Sequence, residues 1–201
     1  MSRFIETVCV RDGKILSAEA HLKRMGRTLF DHYGSFDPAK FYPWFDLRFP
    51  TRPGRYKWRL LYDHAGVTDT KCQIYLPADI GRLKLVHADQ LDYSYKFSNR
   101  QGIEKLMRGV PANTDILIVK NGYLTDSSYA NILLWDGKVW WTPDTPLLRG
   151  TQRAELLKKG LISEKRIPAH SVVKYQKIRL VNAMLSFDEA PEIEIGSKTI
   201  I

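Results

Sequence analysis

The sequence predicts an α+β protein of two small domains, and three observations lead there. Strand-forming runs alternate with an amphipathic helix over the first 88 residues. After Arg108 the texture changes to hairpins closed by Asn-Gly and Asp-Gly turns. Helical stretches are short and interrupt the strands instead of following one another. The expected division is an N-terminal α/β sandwich on an antiparallel sheet over 1–88 and a hairpin-rich domain with helices over 89–201.

Phe4-Ile5-Glu6-Thr7-Val8-Cys9-Val10 is rich in strand formers, and Asp12-Gly13 turns the chain after it. Ser17 is placed to cap a helix whose apolar stripe is Leu22, Met25, Leu29 and Phe30, ending near Gly34. Pro38 opens another short helix. Strand-like runs follow at Tyr56 to Tyr62, Cys72 to Leu76 and Leu83 to His87. Gln101 to Arg108 reads as a helix. Asp115 to Val119, the Asn121-Gly122 turn and Tyr123-Leu124-Thr125 make a hairpin; Asn131 to Trp135, Asp136-Gly137 and Lys138 to Trp141 make a second. Gly150-Thr151 opens a helix reaching about Lys159, Ile167 starts a short strand or loop, and Val172 to Leu180 reads as a last helix.

At 201 residues and 44% hydrophobic, the chain can bury a substantial core. No apolar run is long enough for a membrane span, since Ile116-Leu117-Ile118-Val119 stops at Lys120. The N-terminus lacks the apolar core of a secretion signal. The two cysteines, Cys9 and Cys72, have no metal-ligand spacing and read as ordinary thiols, so a reducing cytoplasm is expected and no metal. The formal net charge is +9. Lysines and arginines are scattered and lack a recognition-helix, zinc-finger or stacking-strand pattern. A basic site for small anionic ligands, phosphates and carboxylates, explains the sign equally well.

The run Tyr93-Ser94-Tyr95-Lys96-Phe97-Ser98-Asn99-Arg100 sets a lysine among aromatics just past the expected domain boundary. A desolvated lysine becomes a nucleophilic amine, as a Schiff base with a carbonyl requires. A stem packed on aromatics with its ammonium in water is the alternative. Other residues supply matching chemistry. His21 and Arg24 share a face of the first helix, next to Met25, where Arg24 would need an anion. Asp126 follows the strand 123–125 among small residues that would let a ring approach. Gly150, Thr151 and Gln152 open a helix, whose free N–H groups attract anions. Asn182 is a polar residue within Leu180-Val181-Asn182-Ala183. Singly, these also read as a surface ion pair, a turn cap, a plain helix start and a helix cap.

Jointly, their order and spacing resemble the fold-type IV pyridoxal phosphate enzymes. This class IV aminotransferase family includes branched-chain and D-amino-acid aminotransferases and aminodeoxychorismate lyase. The resemblance covers nearly the whole chain. It runs through Phe4-Ile5-Glu6-Thr7 with His21-Leu22-Lys23-Arg24, Lys96 to Arg100, and Asn121 to Asp126 with Ala130 to Leu133. Thr142-Pro143, Leu148 to Arg153 and Leu180 to Ala183 complete it. It implies a barrel-like second domain, pyridoxal 5′-phosphate as cofactor, Lys96 as the catalytic lysine and Asp126 as partner of the pyridinium nitrogen. Arg24, Gly150, Thr151, Gln152 and Asn182 would hold the phosphate. Arg100 and Arg59 are candidates for a substrate carboxylate.

Asn99-Arg100 and Asn182 look closest to the lyase branch, which releases 4-aminobenzoate and pyruvate. Amino-acid transamination is the alternative, and a cofactor-binding homologue without turnover or a basic nucleic-acid-binding domain is the non-enzymatic one. The family also implies a homodimer, with which Trp44, Trp140 and Trp141 as exposed aromatics are compatible. Two departures stand out: Asp126 replaces the usual glutamate, and the family's extra N-terminal hairpin is expected to be missing.

Overall fold

The computed structural model describes residues 3–49 and 53–201; Met1, Ser2, Pro50, Thr51 and Arg52 lie outside it. The chain forms two compact units. One contains Met1–Pro77 together with Tyr95–Asn99, and the other Ala78–Ser94 together with Arg100–Ile201. The chain thus enters the second unit before the expected boundary at 88/89, and the five residues around Lys96 return to the first.

In the first unit, β1 (Phe4–Arg11), β2 (Lys14–Ile15), β3 (Arg55–Asp63) and β4 (Gly66–Ile74) form an antiparallel sheet in the order β2-β1-β3-β4. The helices are α1 (Ala18–Tyr33) and the short α2 (Tyr42–Phe45). Strand alternation puts Phe4, Val8 and Val10 beside Trp58, Leu60 and Tyr62 on one side, where Met25 and Leu29 of α1 complete the core. Asp12 and Gly13 both take positive φ (49° and 79°), the tight hairpin geometry their sequence demands.

Two expectations for α1 fail. Ser17 adopts a left-handed conformation (φ 52°) and makes no side-chain cap bond, so α1 begins without one. Phe30 is exposed, because the buried stripe runs through His21, Arg24, Met25, Thr28 and Leu29. Three polar residues, His21, Arg24 and Thr28, therefore lie on the buried face beside Met25 and Leu29.

The second unit is built on an eight-stranded sheet. In chain order it contains β5 (Arg82–His87), α3 (Gln101–Leu106), β6 (Thr114–Lys120), β7 (Tyr123–Ser127), β8 (Asn131–Trp135) and β9 (Trp140–Pro143). Then come α4 (Thr151–Lys158), β10 (Ser163–Lys165), β11 (Lys177–Val181) and β12 (Glu192–Glu194). The order along the sheet is β10-β9-β8-β7-β6-β5. The pairs β5–β6 and β9–β10 are parallel, and β6 is buried on both faces.

The sheet forks at β8. All five of its residues pair with β11 on one edge, while Asn131 pairs with Asp126 of β7 and Leu134–Trp135 with β9 on the other. The fork curls the sheet and sets the start of β8 against β7. Val172 to Leu180, expected as a helix, is split between a 3-10 segment at Ala169–Lys174 and strand β11. The alternation of buried Ile178 and Leu180 with Lys177 and Arg179 there is a strand pattern. Trp44, Trp140 and Trp141 are half-buried, and all three pack onto core clusters.

Candidate functional site

The expected site residues fall in both units. In the first, Tyr95–Asn99 adds a short antiparallel strand to the start of β1. Phe97 pairs with Phe4, the Ile5 N–H donates to the Lys96 carbonyl at 2.9 Å, and the Ser98 N–H donates to that of Arg3 at 2.9 Å. Tyr95 and Phe97 both turn toward α1, with ring centroids 4.4 and 5.9 Å from that of His32, and the Tyr95 hydroxyl lies 3.0 Å from Asp31 Oδ2. Tyr95 and Phe97 thereby anchor the backbone on either side of Lys96 to the first unit. A bond from the Phe97 N–H to the Tyr95 carbonyl (2.8 Å) tightens the chain at Lys96.

Arg24 is buried at 7% exposure, and its anion is Glu6. Arg24 Nε donates to Glu6 Oε1 at 2.8 Å and Nη2 to Oε2 at 2.5 Å, while His21 Nδ1 lies 2.7 Å from Oε2. Burial pushes the Glu6 carboxyl upward, but the Arg24 guanidinium and the His21 hydrogen bond outweigh it and hold the group at about 2. Burial depresses the pKa of His21 against the pull of Glu6, and the charges of Arg24 and Lys96 push it the same way. The Lys96 amine therefore shares an electrostatic neighbourhood with this cluster. Glu6 occupies Nε and Nη2 of Arg24.

Glu6 was legible as a charge on the strand face that Phe4, Val8 and Val10 bury, though the sequence reading did not assign it. Arg59 lies on β3 opposite Thr7, on the side away from α1.

In the second unit Asp126 sits inside β7 and is 5% exposed. Asn131 Nδ2 donates to its Oδ1 at 2.7 Å, and the Leu148 N–H donates to Oδ2 at 2.8 Å. Burial pushes the Asp126 carboxyl up to about 6 despite these donors and the Arg153 charge. Asn131, missed by the sequence reading, is the hinge of the arrangement. Its Nδ2 also donates to the Leu148 carbonyl at 2.8 Å. Its Oδ1 lies 2.0 Å from where a Cβ at Gly150 would stand. Gly150 has an ordinary extended conformation (φ −67°, ψ 148°), so the glycine serves close approach and not backbone freedom. The available signal was a polar residue opening the apolar strand Asn131–Trp135, five positions after an acid.

Gly150 caps α4, and among the described residues the backbone N–H groups of Thr151 and Gln152 have no hydrogen-bond acceptor. Arg153 is buried and directed elsewhere: it bonds Thr142 Oγ1 (3.2 Å), the Pro143 carbonyl (2.8 Å) and Glu164 (2.6 Å), tying α4 to β9 and β10. Asn182 Oδ1 accepts the Met184 N–H at 2.8 Å, holding the turn after β11. Arg100 donates to the Ser128 carbonyl at 2.6 Å and lies over the Tyr93 ring at 6.0 Å, so its guanidinium braces the loop after β7. No group of three or more His, Cys, Asp or Glu side chains among the described residues is placed to hold a metal. Among the described residues no helix is long and apolar enough to cross a membrane.

The donor set fits pyridoxal phosphate on three counts. The turn before α4 leaves no room for a Cβ and presents two open N–H donors. A buried carboxyl stands beside that turn through Asn131. In the first unit a lysine amine lies close to buried cations.

Comparison with known proteins places these residues in context. The amino-transferase class IV family matches residues 83–187. A Haemophilus influenzae protein without assigned function is 36% identical over 186 residues, covering 92% of this chain and 98% of that protein. A crystal structure from Haemophilus somnus, provisionally named a 4-amino-4-deoxychorismate lyase, has 31% identity and a TM-score of 0.83, covering 93% of this chain and 98% of that one. A Mycobacterium tuberculosis aminotransferase solved with pyridoxal phosphate bound shares the fold at 20% identity and a TM-score of 0.76, covering 99% of this chain and 81% of that one.

Proposed function

We propose, on the premise that this chain belongs to the class IV amino-transferase family, that it is a pyridoxal phosphate-dependent lyase acting on an amino-carboxylate, of the kind that converts aminodeoxychorismate to 4-aminobenzoate and pyruvate. One observation carries the cofactor assignment: the family match over 83–187 takes in Lys96, Asp126, Gly150, Thr151, Gln152 and Asn182 together. The lyase reaction rests on the full-length likeness to the Haemophilus somnus protein.

Bound pyridoxal phosphate supplies an electron sink for the pair left when the Cα–H bond of a substrate breaks. Lys96 Nζ would hold the cofactor aldehyde and, once released, would carry the Cα proton. Asp126 would hold a proton at the pyridine nitrogen, with Asn131 fixing its carboxyl. The N–H groups of Thr151 and Gln152, with Asn182 and Arg24, would hold the phosphate. Transamination uses the same residues up to removal of the Cα proton and differs in where the next proton is placed.

The test is a product assay on protein loaded with pyridoxal phosphate. Release of 4-aminobenzoate and pyruvate in equal amounts supports the lyase. Amino-group transfer to a keto acid without aminobenzoate replaces it with an aminotransferase, and a visible cofactor band without either product marks a homologue that binds without turnover. Borohydride reduction should add the cofactor mass to Lys96 in the native protein. A Lys96→Ala variant should take up no covalent label and lose activity by about a thousandfold or more, the scale of losing a covalent catalyst. Full activity in that variant removes Lys96 from its role.

A further inference from the structure

The hairpin that carries Asp126 closes on a turn with a chemistry of its own. Asn121 and Gly122 alone join β6 to β7, with Lys120 and Tyr123 paired across them. Both turn residues take positive φ, 51° and 80°, the two left-handed conformations for which Asn-Gly is the favoured sequence. Both are exposed, and the space where a Gly122 side chain would stand is empty to 4 Å. Among the described residues the Asn121 carboxamide makes no hydrogen bond and the Gly122 N–H has no acceptor. The backbone on either side is held. The Asn121 N–H donates to Asp89 Oδ1 at 2.7 Å, and the Gly122 carbonyl accepts the Ala169 N–H at 2.9 Å.

We propose that Asn121 is a site of covalent self-modification, where the Asn-Gly link converts to an isoaspartyl one and the product loosens the tip of the hairpin. The Gly122 nitrogen attacks Asn121 Cγ. The N–Cγ bond forms, the Cγ–Nδ2 bond breaks, and ammonia leaves with the Gly122 amide proton. Water then opens the cyclic imide. Addition at Cγ gives an ordinary aspartyl residue, whereas addition at the backbone carbonyl leaves the chain running through Cγ. Either product gains a carboxylate, and the second lengthens the turn by one carbon. Glycine suits the attack because no Cβ shields its nitrogen. The other asparagines lack this combination. Asn113 Oδ1 accepts the Gly81 N–H at 2.6 Å, Asn131 is bonded to Asp126 and Leu148, Asn182 is bonded to Met184, and Asn99 precedes Arg100. In the product the new carboxylate belongs to the residue whose N–H the Asp89 carboxylate holds, so like charges meet there. The extra carbon displaces the Gly122 carbonyl from the Ala169 N–H. None of this depends on the proposed function.

The test is peptide mass mapping of the full chain after prolonged incubation at mildly alkaline pH, beside the same chain unfolded in urea. In the folded protein a gain of about one dalton should be confined to the peptide holding Asn121, with ammonia released in step. An isoaspartyl O-methyltransferase and a labelled methyl donor should mark that peptide and no other. Asn121→Gln should abolish the gain, because its longer side chain closes a six-membered ring far more slowly. In hydrogen exchange the Ala169 amide of the aged chain should exchange about tenfold faster than in fresh protein, the scale of losing one hydrogen bond. Asn121→Asp supplies the charge without the extra carbon and should leave Ala169 protected. Asn121 intact in the folded protein after the unfolded chain has converted overturns the inference, because the turn then shields the amide. A gain spread evenly over the other asparagines overturns it too, as does an aged chain whose Ala169 amide exchanges like that of fresh protein.

Discussion

Asp126 is a buried carboxyl of the second unit, and its surroundings have a measurable consequence. Its carboxyl is raised from 3.8 to about 6 because burial outweighs the Asn131 and Leu148 donors. A carboxyl raised by folding contributes stability that is fully present below its unfolded value and lost as pH climbs through its folded one. In the cofactor-free protein the unfolding free energy should therefore fall between pH 4 and pH 7 by about 3 kcal/mol from this group. Urea titrations across that range check it, and an Asp126→Asn variant with an unchanged slope would assign the fall elsewhere. Glu6 behaves in the opposite sense. Held at about 2 by Arg24 and His21 against burial, it stabilises the fold above 4.5 and loses that contribution as pH drops toward 2. Glu6→Gln leaves the buried Arg24 charge uncompensated and should cost about 3–5 kcal/mol near neutral pH, measured by denaturant unfolding.

At the scale of elements, the fork of the second sheet organises the candidate site. Sharing one edge of β8 between β7 and β9 brings Asn131 against Asp126, and the same amide against the turn that opens α4. Gly150→Ala puts a Cβ where Asn131 Oδ1 stands, so the amide must swing away and surrender both of its bonds. The variant should lose about 2 kcal/mol of stability and at least about tenfold in cofactor affinity, read by unfolding and by the visible band. Adding Asn131→Ala removes the obstruction, so the double variant should be less damaged than the sum of the two singles. None of this coupling was readable along the chain. Asn-Gly and Asp-Gly turns, strand alternation and the Gly34 stop were legible because each is decided within a few residues. The order Arg24, Lys96, Asp126, Gly150 was legible as a pattern of chemistry. The Asn131 bridge spans strand and turn, and the Glu6 clamp on Arg24 depends on which face of β1 meets α1. Both are tertiary facts. Val172 to Leu180 misled because a 3-10 turn running into a strand imitates helical spacing.

At the scale of the whole molecule, the path of the chain is itself a functional constraint. Tyr95–Asn99 belongs with the first unit although the residues before and after it belong with the second. The position of Lys96 therefore depends on how five residues are held to β1, and two backbone bonds and the Phe4–Phe97 pair do that work. The Phe97 ring, 5.4 Å from that of Phe4 and packed on the first unit's core, is the main side-chain anchor. Phe97 is half-buried, so Phe97→Ala should cost about 2 kcal/mol, less than truncation of a fully buried phenylalanine. The loss should be local to the first unit. In hydrogen exchange the amides of Ile5 and Ser98 should lose protection, while those of β6 and β8, buried in their own sheet, keep it. Covalent capture of pyridoxal phosphate at Lys96 should slow in step with that exposure, because the amine then samples many positions instead of one. Retained protection at Ile5 in Phe97→Ala would show that the backbone bonds alone hold the lysine. Loss of protection throughout β6 and β8 would show that the two units unfold together.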